Sequence, residues 1–286
     1  MIFPIIITLL IILAVVLLCY MRIEASLLEK SYVNFSSSNN GLRIAHFSDL
    51  HVNKLYVSAK RIKASLDKVN PDIIILSGDY IQNQKDIPKF MLLLNEFNNV
   101  YPVYLTLGNH DHKAFKHPNN SKSNCSKEST CGKISSFIDK IQETGATVLL
   151  NSNTSIIKNN TTYNLIGIDD LKHGKPDVDK AFDGIFPSSI NNSVNIVFSH
   201  NPDMLFNLPQ EKADYFLCGH FHGGQIWMPF GLEFKLMRNE KLCKMGCTRG
   251  VHKINGINMY INRGIGNVVF PFRFRSKPEI AVIQLP

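Results

Sequence analysis

Charged side chains are absent from the first twenty residues of this 286-residue chain, which read MIFPIIITLLIILAVVLLCY. Twenty residues of α-helix rise about 30 Å, which matches the hydrocarbon thickness of a bilayer. A cleaved signal peptide is the alternative, but no Lys or Arg precedes the apolar run and no small-x-small motif follows it. We therefore predict a single-pass transmembrane anchor over residues 1–21, with membrane lipid as its partner.

CxxC spacing is also absent among the six cysteines, so no zinc-ribbon pattern is present. Cys125 with Cys131, and Cys243 with Cys247, are close enough in sequence to form disulfides in an oxidising compartment. Basic residues follow the apolar span and none precedes it, a bias that favours a cytoplasmic domain instead. The sequence therefore leaves the side of the membrane open.

Acidic residues are scarce in the C-terminal part of the chain. Between Lys235 and Lys277 there are ten Lys and Arg but one acid, Glu240, so this stretch alone carries +9. Such a field favours anionic partners, namely a phosphorylated substrate, acidic lipid headgroups or nucleic acid, although a solvated basic surface has the same composition. Charge alone leaves these partners open; our expectation of a phosphoester substrate and no specific nucleic-acid partner rests on the motifs of the chain and the resemblance that they carry.

No internal repeat divides the chain. Residues 22–40 are predicted to be a polar linker, and residues 41–286 a single domain. Strand and helix patterns alternate at the start of this domain, which predicts βαβ units around a largely parallel sheet. Strands are expected over Leu42–Phe47, Asp72–Leu76 and Tyr101–Leu107, and helices over Val57–Val69 and Ile87–Phe97.

The second half of the domain has little helical pattern and many short apolar runs. Further strands are expected over Ala146–Leu150, Tyr163–Ile168, Val194–Phe198, Tyr215–Cys218, Met259–Ile261 and Ile280–Ile283. Between the two halves, His112–Cys131 is rich in Asn, Ser and Lys and is predicted to be an exposed insertion.

Five short polar segments each follow a predicted strand. They are Asp49–His51, Gly78–Asp79, Gly108–Asp111, Ser199–Asn201 and Gly219–Gly224. Because ligands of parallel α/β sheets bind at the carboxyl ends of strands, these segments are expected to converge on one crevice. In an extended segment residues i and i+2 point the same way, so Asp49 with His51, and His220 with His222, should each present two ligands together.

The number of candidate ligands indicates two metal ions. Seven side chains are too many for one catalytic metal with an open coordination position: Asp49, His51, Asp79, Asn109, His200, His220 and His222. Two divalent cations and two aspartates leave a charge of about +2, which attracts phosphate and a hydroxide. Mixed His and carboxylate ligands suit Mn, Fe, Zn or Co, and the sequence does not choose among them.

The same segments resemble a known family in their order and spacing. The matching motifs are FSDLH (47–51), SGDY (77–80), LGNHD (107–111), FSHNPD (198–203) and CGHFHGGQIWMPFG (218–231). They resemble the calcineurin-like metallophosphoesterases, and within them the bacterial branch typified by the YaeI and YkuE phosphohydrolases. This resemblance, which covers residues 42–286, implies an α/β fold: a four-layer αββα sandwich of two mixed sheets, preceded here by the transmembrane helix.

The resemblance also implies a role for each candidate residue. Asp49, His51 and His222 would hold the first metal, Asn109, His200 and His220 the second, and Asp79 would bridge them. His110 would lie beside the phosphate as the catalytic residue, stabilising the transition state or protonating the leaving oxygen.

The function implied is that of a dinuclear metal-dependent phosphodiesterase or phosphatase acting at a membrane. The anchor and the basic stretch favour a lipid-linked or nucleotide-lipid substrate. The alternative is a membrane-tethered metal- and anion-binding protein without turnover. The complete ligand set and His110 favour the hydrolase.

Overall fold

A computed structural model of the protein describes residues 2–36, 40–116 and 127–286, and the side chains of all of these except 127–131. The helices are α1 Ile2–Glu24, α2 Ala59–Val69, α3 Ile87–Asn98, α4 Asn109–Lys113, α5 Lys127–Glu143, α6 Val178–Ala181, α7 Leu232–Met237 and α8 Lys241–Lys244. The strands of the first half are β1 Glu29–Asn34, β2 Arg43–Phe47, β3 Ile73–Ser77, β4 Val103–Thr106, β5 Thr147–Val148 and β6 Ser152–Lys158. Those of the second half are β7 Thr161–Gly167, β8 Ser193–Phe198, β9 Tyr215–Cys218, β10 Gly250–Ile254, β11 Ile257–Ile261 and β12 Glu279–Gln284.

The strands form two six-stranded mixed sheets. The first sheet has the order β1-β12-β2-β3-β4-β5, and only the β12–β2 pair in it is antiparallel. The second has the order β10-β11-β9-β8-β7-β6, with antiparallel pairs at its two edges. The carboxyl ends of β2, β3 and β4 in one sheet, and of β8 and β9 in the other, carry the five polar segments.

Three clusters of buried apolar residues lie between the layers of the fold. Ile75 of the first sheet and Leu165 of the second share the central core between the sheets. On the outer face of the first sheet, α2, α3 and α5 pack through residues such as Phe90 and Phe137. On the outer face of the second, Ala181 and Leu242 belong to the third core. The predicted four-layer αββα sandwich is therefore confirmed.

The predicted linker over residues 22–40 is corrected by the structure. Helix α1 continues to Glu24, and Glu29–Asn34 is strand β1, which pairs in parallel with β12 along its whole length. The strand gives no apolar signal because it lies at the sheet edge, where only Val33 is buried. Strands β6 and β10 also lie at sheet edges and have no buried residue, and they too were not predicted.

Half of the predicted exposed insertion His112–Cys131, residues 117–126, lies outside the described residues. The other half corrects the prediction in part, because His112 and Phe115 are buried and residues 127–131 begin helix α5. Of the two candidate disulfides, Cys125 and the side chain of Cys131 lie outside the described residues as well. Cys243 and Cys247 are free thiols in the structure, and burial raises the pKa of both.

Helix α1 is long and apolar enough to cross a membrane, and its apolar residues project away from the domain. Its last turn docks on the segment 273–276. The Arg273 amide donates to the Met21 carbonyl (3.0 Å), and the Ser276 amide donates to the Glu24 carboxylate (2.9 Å). The end of the helix is therefore held by the domain rather than by a free linker.

Arg273 is fully buried and forms no ion pair within the described residues. Its guanidinium donates to the carbonyls of Arg263, Gly264, Gly266 and Ser276, at 2.5–3.1 Å. Burial lowers its pKa to about 9. Since a buried charge is tolerated only when its donors are satisfied, this loop is shaped around one side chain.

We predict that Arg273→Met lowers the free energy of unfolding by about 3 kcal/mol, because four buried carbonyls lose a charged donor. Thermal unfolding of the full-length protein in detergent, followed by circular dichroism, measures the change. Lys277→Met, at an exposed neighbour, is the matched control and should leave the unfolding temperature unchanged. Equal unfolding temperatures for the two variants would contradict the role assigned to Arg273.

Candidate metal centre

The structure brings all seven predicted ligand residues together where the two sheets present their strand ends. Each is at least 93% buried: Asp49, His51, Asp79, Asn109, His200, His220 and His222. Their donor atoms fall into two groups, each with atoms within 4.8 Å of one another. One group contains Asp49, and the other contains Asp79.

The first group joins Asp49, His51 and His222. Asp49 Oδ2 accepts hydrogen bonds from the Ser48 hydroxyl and the His220 amide, which leaves Oδ1 without a hydrogen-bond donor. His222 Nε2 lies 3.0 Å from this oxygen and His51 Nε2 lies 3.9 Å from it. Both ring nitrogens of His51 lack a hydrogen-bond partner although the ring is fully buried. Unsatisfied buried donors and acceptors of this kind fit a cation site.

The second group joins Asp79, His200 and His220. His200 Nδ1 lies 2.9 Å from the Ser77 carbonyl oxygen, which assigns its hydrogen to Nδ1. His220 Nε2 lies 3.1 Å from the Glu240 carboxylate, which accepts its hydrogen, and 3.1 Å from Arg238 Nη1. In the neutral tautomers, with hydrogen on His200 Nδ1 and His220 Nε2, the lone pairs of His200 Nε2 and His220 Nδ1 face each other at 3.1 Å, with Asp79 Oδ2 also 3.1 Å from His200 Nε2. Without a metal, a proton on His200 Nε2 lies between these acceptors.

The amide of Asn109 completes this group. Its oxygen lies 3.1 Å from His220 Nδ1 and 3.2 Å from His200 Nε2, so acceptor faces acceptor. Hydrogen bonding alone would favour the swapped amide, with nitrogen in that position, whereas a cation among these atoms favours the oxygen. The donor set of one carboxylate, two imidazoles and one amide oxygen fits a divalent transition metal.

Asp79 lies between the two groups. Its Oδ1 accepts the His110 amide hydrogen (2.7 Å), while Oδ2 is 3.1 Å from His200 Nε2 and 3.7 Å from His51 Nε2. Among the described residues, neither Asp79 nor Asp49 forms an ion pair with Lys or Arg. Two buried carboxylates without a fixed cation create a field that favours positive charge.

The pKa of His200 reports this field. Burial lowers the pKa of His200, but the adjacent Asp79 carboxylate outweighs burial and raises it to about 10. By contrast, burial lowers the pKa of His51 to about 3. The site thus favours a cation close to Asp79 and keeps the ring of His51 neutral, which is the form that binds metals.

Five of the seven residues have left-handed backbone conformations: Asp49, His51, Asp79, His220 and His222. Side chains other than Gly rarely adopt this region, and clusters of such residues mark functional sites. The prediction that Asp49–His51 and His220–His222 are extended is therefore wrong. With φ of 74° at His220 and 53° at His222, these two rings enter different groups instead of pointing the same way.

Close approach of the loops requires glycine at two positions. A Cβ on Gly108 would lie within 3.0 Å of the Asp79 side chain, and a Cβ on Gly219 within 3.0 Å of the Asp49 carboxylate. Asp111 holds the same loops from below, since its carboxylate accepts four backbone amide hydrogens, those of Asp79, Tyr80, Ile81 and Gly108. Asp111 therefore shapes the turn and makes no contact with the His110 ring.

A groove of about 610 Å³ opens over the two groups. The ring of His110 lines it and lies edge-on to His51 at 5.0 Å, and burial lowers its pKa. Four basic residues line the groove, Lys54, Lys113, Lys172 and Arg238. Six apolar residues line it as well, Ile226, Met228, Phe234, Met237, Val269 and Phe270.

Sequence reasoning missed Glu240 and Arg238 as partners of the site. The Glu240 carboxylate contacts His220 Nε2 (3.1 Å) and Lys172 Nζ (2.5 Å), and it is buried. Arg238 donates to the His220 carbonyl (2.8 Å). The sequence does contain one indication of this role. Glu240 is the single acid in a stretch with ten bases, and an isolated acid of this kind indicates a specific partner.

His112, interpreted from the sequence as structural, forms a buried ion pair with Asp169 (2.6 Å). Burial alone lowers the pKa of His112, but the hydrogen bond to Asp169 outweighs it and raises the pKa above its ordinary value. Burial raises the pKa of Asp169, and the same hydrogen bond lowers it overall. The pair ties α4, which carries Asn109 and His110, to the end of β7.

We predict that Asp169→Asn destabilises the protein more at pH 5.5 than at pH 9. The pKa of His112 is raised, so its contribution to the free energy of unfolding is complete below about pH 6.5 and is lost as pH rises. The pKa of Asp169 is lowered, so its contribution is complete above about pH 3.8 and is lost as pH falls. Unfolding temperatures of the wild type and the variant, measured at both pH values, give the difference. Asp139→Asn, at an exposed helical position, is the control, and equal losses at both pH values would contradict the pairing.

Comparison with known proteins identifies relatives along most of the chain. The family model described as calcineurin-like phosphoesterase matches residues 42–224. The uncharacterized metallophosphoesterase YkoQ of Bacillus subtilis is 30% identical over 248 residues, covering 85% of this chain and 83% of YkoQ. Phosphodiesterase YaeI of Escherichia coli is 26% identical over 259 residues, covering 88% of this chain and 84% of YaeI.

A third relative is the UDP-2,3-diacylglucosamine pyrophosphatase LpxG of Chlamydia muridarum. It is 25% identical over 280 residues, covering 86% of this chain and 84% of LpxG. Together these matches confirm the resemblance that the five motifs indicate.

Proposed function

The chain belongs to the calcineurin-like phosphoesterase family, and from that premise we propose that it is a dinuclear metal-dependent phosphoester hydrolase acting at a membrane. The observation that carries the proposal is the buried cluster in which seven side chains turn acceptor atoms toward one another. A divalent cation in each group would satisfy these acceptor atoms.

Each of the two groups would hold one ion. Asp49, His51 and His222 would bind the first, and Asn109, His200 and His220 the second. Asp79 would contact both, since its Oδ2 lies within 4 Å of a ring nitrogen from each group. Divalent Mn, Fe, Zn or Co suits this donor set, and when bound such ions polarise phosphoryl oxygens and make water more acidic.

The remaining residues of the groove bind and orient the substrate. Lys113, Lys172 and Arg238 attract the phosphoester anion and align it over the metal centre. His110, held by its amide on Asp79, presents its ring to the groove. As a neutral imidazole it carries one N–H, which donates to the leaving oxygen of the phosphoester as negative charge develops there.

Glu240 positions one of the proposed ligands. Its carboxylate accepts the Nε2 hydrogen of His220, which directs the Nδ1 lone pair of that ring at the second group. A carboxylate behind a ligating histidine fixes both the tautomer and the ring orientation.

Membrane action is supported by the apolar α1 helix and by a relative. LpxG is named for hydrolysis of UDP-2,3-diacylglucosamine, a nucleotide joined to an acylated sugar by a pyrophosphate. The groove of this chain is also lined by both basic and apolar residues. We therefore extend the proposal to a lipid-linked phosphodiester or pyrophosphate as substrate.

Asp79→Asn is predicted to lower the kcat for bis-p-nitrophenyl phosphate by roughly 1,000-fold, because a loss of several kcal/mol of charge stabilisation corresponds to that factor. Bound metal, measured by elemental analysis, should fall as well. Chelation of the wild type should abolish activity and Mn²⁺ should restore it, while Asp139→Asn remains active. Phosphate binding without turnover under every metal would favour the alternative, a metal- and anion-binding protein.

His110→Gln is predicted to separate chemistry from metal binding. Loss of a proton donor typically lowers kcat by about 100- to 10,000-fold, whereas the metal content should stay at the wild-type value because His110 belongs to neither donor group. His252→Gln, at a site on β10, is the matched control. Loss of metal together with activity would assign His110 a structural role instead.

A further inference from the structure

We propose that the groove opens against the bilayer and that an apolar rim beside it inserts among the lipid headgroups. The apolar rim consists of Phe230, Leu236, Met237, Val269 and Phe270. The inference rests on the proposed role of α1 as a membrane anchor and adds a second membrane contact to it. The substrate class that follows is an amphiphilic phosphoester whose acyl chains stay in the membrane during hydrolysis.

The rim is unusual for a surface in water. Its side chains are between 58% and 86% exposed, and they come from two parts of the chain, 230–237 and 268–270. Met237, Val269 and Phe270 also line the groove, so these two parts meet at its mouth. Large apolar groups gathered in one exposed patch mark an interaction site rather than ordinary surface.

Two side chains hold the backbone of the second part of the rim, Gln225 and Lys54, whose Nζ donates to the Val269 carbonyl (3.0 Å). The Gln225 amide nitrogen donates to the carbonyls of Val268 (3.0 Å) and Phe270 (3.1 Å), and its oxygen accepts from the Val268 amide (2.8 Å). The backbone is thereby satisfied from within the protein, and the side chains of Val269 and Phe270 are turned outward. A rim held in this way is preorganised for insertion.

The second part of the rim is close in sequence to a residue that contacts the end of α1. The ring of Phe274 packs on Tyr20, in the charge-free run, at 6.1 Å, and on Trp227 at 6.4 Å. The Trp227 amide donates to the Phe274 carbonyl (3.0 Å). Phe270 is four residues from Phe274, a span of at most about 14 Å. The rim therefore lies close to the level at which the helix would leave the bilayer, where Tyr and Trp are enriched.

The charges around the rim identify the occupant as a membrane rather than a protein. The surrounding exposed charges are basic: Lys235, Lys241, Lys244, Arg249, Arg275 and Lys277. Two acids lie in or beside the rim segments, and both are buried: Glu240 against Lys172 and His220, and Glu233, whose carboxylate accepts the Met228 amide hydrogen. Apolar side chains flanked by Lys and Arg are the pattern of an interfacial membrane contact with anionic headgroups.

The path from the rim into the groove indicates what the substrate must look like. The groove is lined by three rim residues, by the apolar Met228 and Phe234, and by cationic side chains such as Arg238, which donates to the carbonyl of the candidate ligand His220. A molecule that follows this path has acyl chains at one end and an anionic phosphoester at the other. It can enter from the headgroup layer without its acyl chains crossing water.

The test uses tryptophan as a depth probe, because Trp227 is the chain's single tryptophan. Full-length Trp227→Phe/Phe230→Trp protein is reconstituted in vesicles of phosphatidylcholine and phosphatidylglycerol that carry bromine on their acyl chains. We expect bromine to quench the fluorescence at position 230 by at least about half. Trp227→Phe/Ile157→Trp is the matched control, since Ile157 is 77% exposed on β6 at the far edge of the second sheet.

Equal quenching at positions 230 and 157 would overturn the proposal. The proposal would also be overturned if the tryptophan at position 230 became buried only as protein concentration rose and bromine did not quench it. That result would assign the rim to contact with a second copy of the chain. In a second variant, which keeps Trp227 and carries Phe230→Ser and Leu236→Ser, bromine quenching of Trp227 should be at least about twofold lower than in the wild type. Its hydrolysis of bis-p-nitrophenyl phosphate should be unchanged. The quenching measurements need no turnover, so they can fail while the hydrolase proposal stands, and the hydrolase proposal can fail while they succeed.

Discussion

Two buried carboxylates constrain the whole domain. Asp49 and Asp79 are desolvated, and within the described residues neither has Lys or Arg as an ion-pair partner. An isolated buried carboxylate is too costly to keep ionised, so the surrounding residues must favour a cation. They do so with imidazole lone pairs and one amide oxygen, and the raised pKa of His200 shows how strong the resulting field is. The loops, glycines and hydrogen bonds around the site serve to hold these two side chains apart from water and close to each other.

That arrangement requires strained backbone, and the strain is supported from outside the site. The left-handed conformations of Asp49 and Asp79 are held by their neighbours: the Gly266 amide donates to the Asp49 carbonyl (2.8 Å), and Asp111 accepts the Asp79 amide. Arg273 in turn holds the loop that carries Gly266. Local strain of this kind persists only where surrounding contacts over-determine it.

The sequence predicts the buried strands, which depend on apolar composition, and the candidate ligands, which depend on the order of motifs along the chain. Tyr215–Cys218 is a strand at the predicted bounds, because a fully buried strand needs a continuous apolar run. The polar strand β1 could not be recognised, since its pairing with β12 is set by tertiary structure and not by its own pattern. Likewise the seven candidate ligands could be identified from their order after strands, but not the backbone conformation that sends His220 and His222 into different groups.

Helix α1 and the candidate metal centre are linked by contacts that run through one segment of the chain. The end of α1 is bonded to Arg273 through Met21, and Arg273 donates to Gly264 and Gly266, which pack against Asp49. The same segment carries Phe274, which joins α1 to Trp227 and so to the apolar lining of the groove. A displacement of α1 relative to the domain would therefore disturb the groove and the Asp49 loop together. This physical coupling explains why α1 ends in a docked turn rather than in the flexible linker that its polar sequence suggests.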